Sequence, residues 1–177
     1  MTGGSGKSDF TTVPAQRDIT TLTMYKHILL PTDGSALSQK AVQSGILFAK
    51  NTDATVVGIH VIPAPHQDQL EAWMHHDPHY PERRQALFDK FADEYLSFIA
   101  NSALAEEVPC SCKMIKADEP YLAIVKAAEQ LHCDLIFMAS HGWKGDSAQV
   151  LGSETLKVLI HSKVPVMVHK PGPHDRV

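Results

Sequence analysis

Two stretches of this chain combine polar side chains with bare backbone in a way that suits chemistry on a phosphorylated ligand. The first is "LLPTDGS", residues 29–35, and the second is "DLIFMASHGWKGDSAQVLGSETLKVLI", residues 134–160. In the second, an apolar run ends in Ala139-Ser140-His141-Gly142, small enough to let a ligand approach the main chain. Gly142 can adopt φ > 0 at no steric cost, so successive N–H groups there can converge into an anion-binding nest. After nine intervening residues, Gly152-Ser153 opens a helical pattern. Ser153 is expected to cap that helix, whose first-turn N–H groups and dipole favour an anion. A nest and a helix N-terminus facing one crevice can hold a phosphate chain. Lys144 would add charge there, and Trp143 would shield it.

In the first stretch, Pro31 has no N–H, so the chain is expected to leave its ladder there and expose the backbone of Thr32. Asp33 offers a carboxylate for a ribose hydroxyl or for a water on a divalent ion; capping the next helix is its alternative role. Together the stretches describe a pocket with an adenosine-sized wall and a phosphate seat.

Three other clusters hold less. "GGSGKS" near the N-terminus imitates the end of a P-loop, but G-x-x-x-x-G-K-S needs glycine where Met1 stands, and no strand precedes it. His75, His76, Asp77 and His79 offer imidazoles to a transition metal. Pro78 and Pro81, however, exclude one continuous helix presenting them, and a surface loop or lid is the plainer reading. Cys110 and Cys112 flank one serine on a predicted strand, so they point the same way yet sit awkwardly for bonding each other. The three cysteines read as reduced structural thiols of a cytoplasmic protein.

Elements must position these groups. Residues 1–23 are polar and without period, and read as a disordered leader or expression remnant; residues 24–177 read as one domain. From Met24 the chain alternates. "YKHILLPT" is a strand, "SALSQKAVQSGILFAK" a helix and "ATVVGIHVIP" a strand. A Pro/His-rich connection leads to a helix over about 82–105, with Leu87, Phe91, Tyr95 and Phe98 on one face. "VPCSCKMIK" has period 2, "PYLAIVKAAEQLH" is helical, and "CDLIFMAS" is a strand. "SETLKVLIHS" is helical, and "VPVMVHK" is the last strand. Continuous apolar strands alternating with helices predict an α/β fold, a parallel sheet with helices on both faces. Ligands of such sheets sit beyond the carboxyl ends of the strands where the winding reverses, which selects Pro31–Ser35, Val61–Pro65 and Ala139–Ser153.

Composition closes other routes. With 177 residues, 44% hydrophobic and 20% charged, the chain suits a single core. A net charge of −4 gives no basic excess for a phosphate backbone, which argues against nucleic acid as a partner. No apolar run approaches the ~18 residues of a membrane span, so no membrane partner is expected.

The chain resembles the universal stress protein family from Met24 to about Lys170. "YKHILLPTDGS" is similar to that family's opening strand and turn. The segment from "DLIFMASHGWKGDSAQVLGSETLK" to "VPVMVHK" is similar to its closing signature. There the ATP-binding branch has G-x-x-G, nine residues, then G-S/T; Gly142 and Gly152-Ser153 match in spacing. The resemblance implies a Rossmann-like five-stranded sheet of order 3-2-1-4-5 and a homodimer through the last strand. It also implies ATP between the first and fourth strands. By position, Pro31, Thr32, Asp33, Val61, Met138 and Ala139 would meet the adenosine. Gly142, Gly152 and Ser153 would hold phosphates beside His141 and Lys144, and a Mg or Mn ion is a compatible companion. Ala139 replaces the first glycine of the motif, which narrows the approach but permits β conformation and should weaken binding rather than abolish it. Trp143 stands where many ATP-binding members carry arginine.

No constellation for turnover is legible, since phosphoryl transfer needs a positioned base and charge clamps. A nucleotide-responsive regulatory or stress-resistance protein is therefore expected, with at most slow ATP hydrolysis. Its alternative is a nucleotide-independent dimer serving as an interaction module. An enzyme forming adenylated intermediates would want a motif such as S-G-G-x-D-S, which is absent. The apolar strand at 164–169 is expected at a sheet edge, open to pairing with a second copy.

Overall fold

Ile28, Leu29 and Leu30 are apolar on both sides of one strand, β1 (His27–Thr32), and such a strand must be covered on both sides. The computed structural model describes residues 25–62, 77, 79–142 and 151–170. Within them β1 is followed by α1 (Ala36–Thr52), β2 (Thr55–Ile62), α2 (Tyr80–Ala105) and β3 (Cys110–Lys116). Then come α3 (Pro120–Gln130), β4 (Leu135–Ala139), α4 (Ser153–His161) and β5 (Val166–His169). The strands form one sheet of order β3-β2-β1-β4-β5. All four pairings are parallel, as expected.

Period-2 alternation sends successive residues of the central strands to opposite cores. Ile28, Leu30, Leu135, Phe137 and Ala139 pack with α1 and with Ile99 and Ala103 of α2. Leu29, Ile136 and Met138 pack on the other face with α3 and Val158 of α4. Gly45 lets α1 settle onto the sheet, because a Cβ there would come within 2.6 Å of the Leu30 side chain. At the amino end, the Asp134 carboxylate accepts from the N–H groups of Lys26 (2.8 Å) and His27 (3.0 Å), fixing β1 beside β4.

Two expectations need correction. α2 does not bury the face through Leu87 and Phe91, which are 50% and 36% exposed; its buried residues are Ala92, Ile99 and Ala103. A 26-residue helix spans about 39 Å. The 8-residue β2 beneath it spans about 26 Å, so the first turns overhang the sheet. Nor does β1 leave the sheet at Pro31. Pairing with β2 runs on to Thr32↔His60.

Candidate functional site

β1 parts from β4 early. Their pairing comprises Ile28↔Leu135 and Leu29↔Ile136, whereas β1 stays with β2 to Thr32 and β4 stays with β5 to Ala139↔His169. The winding reverses between β1 and β4, and a crevice of about 230 Å³ opens at their carboxyl ends. Ile59, Val61, Ile124 and Met138 give it apolar walls. Pro31, Thr32, Asp33, Ala139, His141 and Gly142 line it where the two strands end. Eight of the sequence-selected residues thus meet in one place.

The β1 wall is held by buried polar contacts. Nδ1 of buried His60 lies 2.8 Å from the Thr32 carbonyl, and its ring stands edge-on to Tyr95 at 5.1 Å. The Thr32 carbonyl is therefore engaged rather than offered to a ligand, because strand pairing continues one residue past Pro31 and brings His60 opposite. Thr32 Oγ1 lies 3.0 Å from Ser38 Oγ and accepts from Gly34 N at 3.1 Å. Gly34 takes φ +79°, and a Cβ there would collide with the Tyr95 ring. Asp33 does not cap α1. Ser35 is the N-cap, its hydroxyl accepting from Ser38 N at 3.2 Å. Asp33 Oδ1 instead accepts from Ser35 N (3.0 Å) and Ser35 Oγ (2.7 Å), which locks the turn.

On the β4 wall, Ala139 remains in extended strand conformation, and its carbonyl accepts from buried Thr155 Oγ1 at 3.0 Å. Ser140 N donates to His169 O, and Gly152 N donates to Ser140 O, both at 2.8 Å. These bonds tie the start of α4 to the end of β4. His141 Nδ1 lies 3.1 Å from Ser140 Oγ. Gly142 does not use a left-handed conformation; among described glycines only Gly34 has positive φ. Its missing side chain serves another purpose, because a Cβ would overlap the Asp33 carboxylate. Ser153 is not the cap either: Gly152 holds that position, and no described side chain caps the helix. Ser153 is exposed at the first turn and does not line the crevice, while Gly152 packs beside it against His141. Lys144, with Trp143, lies outside the described residues.

Sequence reasoning missed six of the lining residues, Ser38, Ile59, Pro120, Ile124, Glu154 and Thr155. Glu154 joins two helices, its Oε2 accepting from Tyr121 N at the start of α3 (2.9 Å) and its Oε1 from Lys157 (3.0 Å). A carboxylate at a helix N-terminus is favoured by the dipole. It also holds the Lys157 ammonium above its usual pKa.

Of the histidine cluster, His75 and His76 fall outside the described residues. Asp77 pairs with Arg83 and accepts from His79 N at 3.0 Å, just ahead of α2. No described group of three or more His, Cys, Asp or Glu is arranged to hold a metal.

The model of the universal stress protein family matches residues 24–170. The chain belongs to this family. Universal stress protein MJ0531 of Methanocaldococcus jannaschii is 31% identical over 150 residues, 83% of each chain. Universal stress protein MJ0577 of the same organism is 30% identical over 155 residues, 83% of this chain and 96% of its own. The solved structure of MJ0577 aligns with TM-score 0.69 over 84% of this chain and 98% of that one. A universal stress protein of Archaeoglobus fulgidus solved in complex with dAMP has the same fold, at 17% identity and TM-score 0.56. It covers 81% of this chain and 97% of that one. Universal stress protein architecture thus accounts for the whole described sheet, from β1 to β5. No described helix is long and apolar enough to cross a membrane.

Proposed function

We propose that this universal stress protein binds ATP in the crevice between β1 and β4 and acts as a nucleotide-responsive regulatory or stress-resistance factor. The observation carrying this reading is the meeting of Asp33 and Gly142 at the crevice, beside the start of an α4 that no described side chain caps. The adenosine lies against Val61, Met138 and Ala139, with Pro31 and Thr32 at its edge and Asp33 at the ribose. The phosphates extend past His141 and Gly142 toward the N–H groups at Gly152 and Ser153, where the dipole favours them. Asp33 and Glu154 both border this space, so a polyphosphate needs counter-charge. Lys144 and a Mg or Mn ion would supply it. The dAMP bound in the Archaeoglobus protein supports the capacity of this fold for an adenine nucleotide.

The protein works by binding rather than turnover, with at most slow ATP hydrolysis. Partner recognition follows from a nucleotide-dependent change of the surface beside the crevice. The active species is a cytoplasmic homodimer paired through residues 164–169. Its support is the position of β5 at the sheet edge, with Leu156, Leu159 and Ile160 exposed on the preceding helix. Titration of the purified protein with ATP tests the reading, and binding in the micromolar range is expected. The second reading, a nucleotide-independent dimer, draws on Ala139, whose methyl occupies the place of the first motif glycine.

A further inference from the structure

The edge strand β3 carries sulfur at alternate positions, Cys110, Cys112 and Met114, on the face turned toward α2. Sγ of Cys110 and Sγ of Cys112 lie 3.9 Å apart. That distance is far from a disulfide, whose sulfurs are about 2.05 Å apart. Strand residues i and i+2 also lie about 6.7 Å apart at Cα, near the limit for a bridge. It is, however, a chelating distance. A metal about 2.3 Å from each sulfur would close an S–metal–S angle of about 116° across the gap.

The backbone beneath the pair makes room for it. Gly58 of β2 stands opposite Cys112, and a Cβ there would meet Cys112 Sγ at 3.1 Å and Ile99 at 2.9 Å. Cys110 is half-buried, Cys112 is exposed, and Met114 is 37% exposed, so a cation has access from solvent. β3 is the opposite edge from β5, remote from both the crevice and the proposed dimer strand.

We propose that Cys110 and Cys112 form a binding site for a soft monovalent cation, copper(I), on the outer edge of the sheet. Thiolate and thioether sulfur select copper(I) over harder cations. Zinc would want four ligands, and no described His, Asp or Glu joins the pair to supply them. Binding is ligand exchange without redox change. One copper(I) ion displaces a proton from each thiol and forms two copper–sulfur bonds.

The test is anaerobic titration of the full-length reduced protein with copper(I) in competition with a chromophoric copper(I) chelator. One copper per chain should be withdrawn from the chelator by the wild type and by Cys133→Ser. Cys110→Ser and Cys112→Ser should each lose it, whereas Met114→Leu, four residues from Cys110 on the same strand, should hold it as the wild type does. Independently of any variant, one equivalent of copper(I) should protect Cys110 and Cys112, but not Cys133, from alkylation read by peptide mass spectrometry. Failure of the wild type to compete overturns the site. So does copper retained by the Cys110→Ser/Cys112→Ser double variant, or protection that does not fall on these two thiols.

Discussion

The Asp33 carboxylate occupies the space that a Cβ on Gly142 would fill. Residues 109 positions apart in the chain therefore touch, one at the end of β1 and the other just past β4, and the crevice exists because neither segment pushes the other away. Gly142→Val should lower ATP affinity at least tenfold, or about 1.4 kcal/mol, by displacing Asp33. Calorimetric titration reads the loss, and an unchanged circular dichroism spectrum shows that the sheet persists. Binding unaltered by the valine would remove Asp33 and Gly142 from the site.

Thr155 fastens α4 to β4 through the Ala139 carbonyl, and it is 3% exposed. Thr155→Val keeps the shape and deletes the donor, leaving a buried carbonyl without it. A loss of about 1–3 kcal/mol in unfolding free energy is expected from denaturant melts. Nucleotide affinity should fall with it, since the start of α4 is no longer held at the crevice.

How far the sequence foretold this arrangement depends on the range of the contacts. Apolar runs of strand length separated by helical spacing are local, and they disclosed the sheet, its two covered faces and the strand ends where Pro31, Asp33 and Gly142 meet. The polar joints are not local. Glu154 finds Tyr121 N 33 positions earlier, and Thr155 finds Ala139 O 16 positions earlier, with no spacing rule to announce either. Glycine misled for a related reason: its conformational freedom is visible in sequence, whereas the side chain that fills its vacant space is not. Leu87 and Phe91 misled because periodicity identifies a helix face without saying where the sheet beneath it stops.

The thiols should separate by pH. The hydrogen bond between the Cys110 and Cys112 thiols lowers the Cys112 pKa to about 7, while the same bond and burial push Cys110 up. Burial pushes Cys133 up to about 11. A lowered thiol pKa means the reactive thiolate is already present above it, so alkylation of Cys112 should rise through pH 7 and level off. Cys133 should still be gaining reactivity well above pH 9. Peptide mass spectrometry after timed iodoacetamide pulses reads both profiles, and equal profiles would contradict the pairing.

Among the described residues no strand pairs with the outer side of β5, and α4 beside it exposes Leu156, Leu159 and Ile160. Equilibrium sedimentation at micromolar protein should return about twice the 19.5 kDa chain mass. A mass equal to one chain would leave that edge unpaired and the dimer without support.

What a crevice bordered by Asp33, Gly142 and the start of α4 should do above all is retain a nucleotide. The direct measurement is mass spectrometry of small molecules released from the purified protein, followed by calorimetric titration of the stripped protein with ATP. Release of an adenine nucleotide and a micromolar dissociation constant, about −8 kcal/mol, is the predicted result. No released nucleotide, and no heat up to millimolar ATP or AMP, would contradict it.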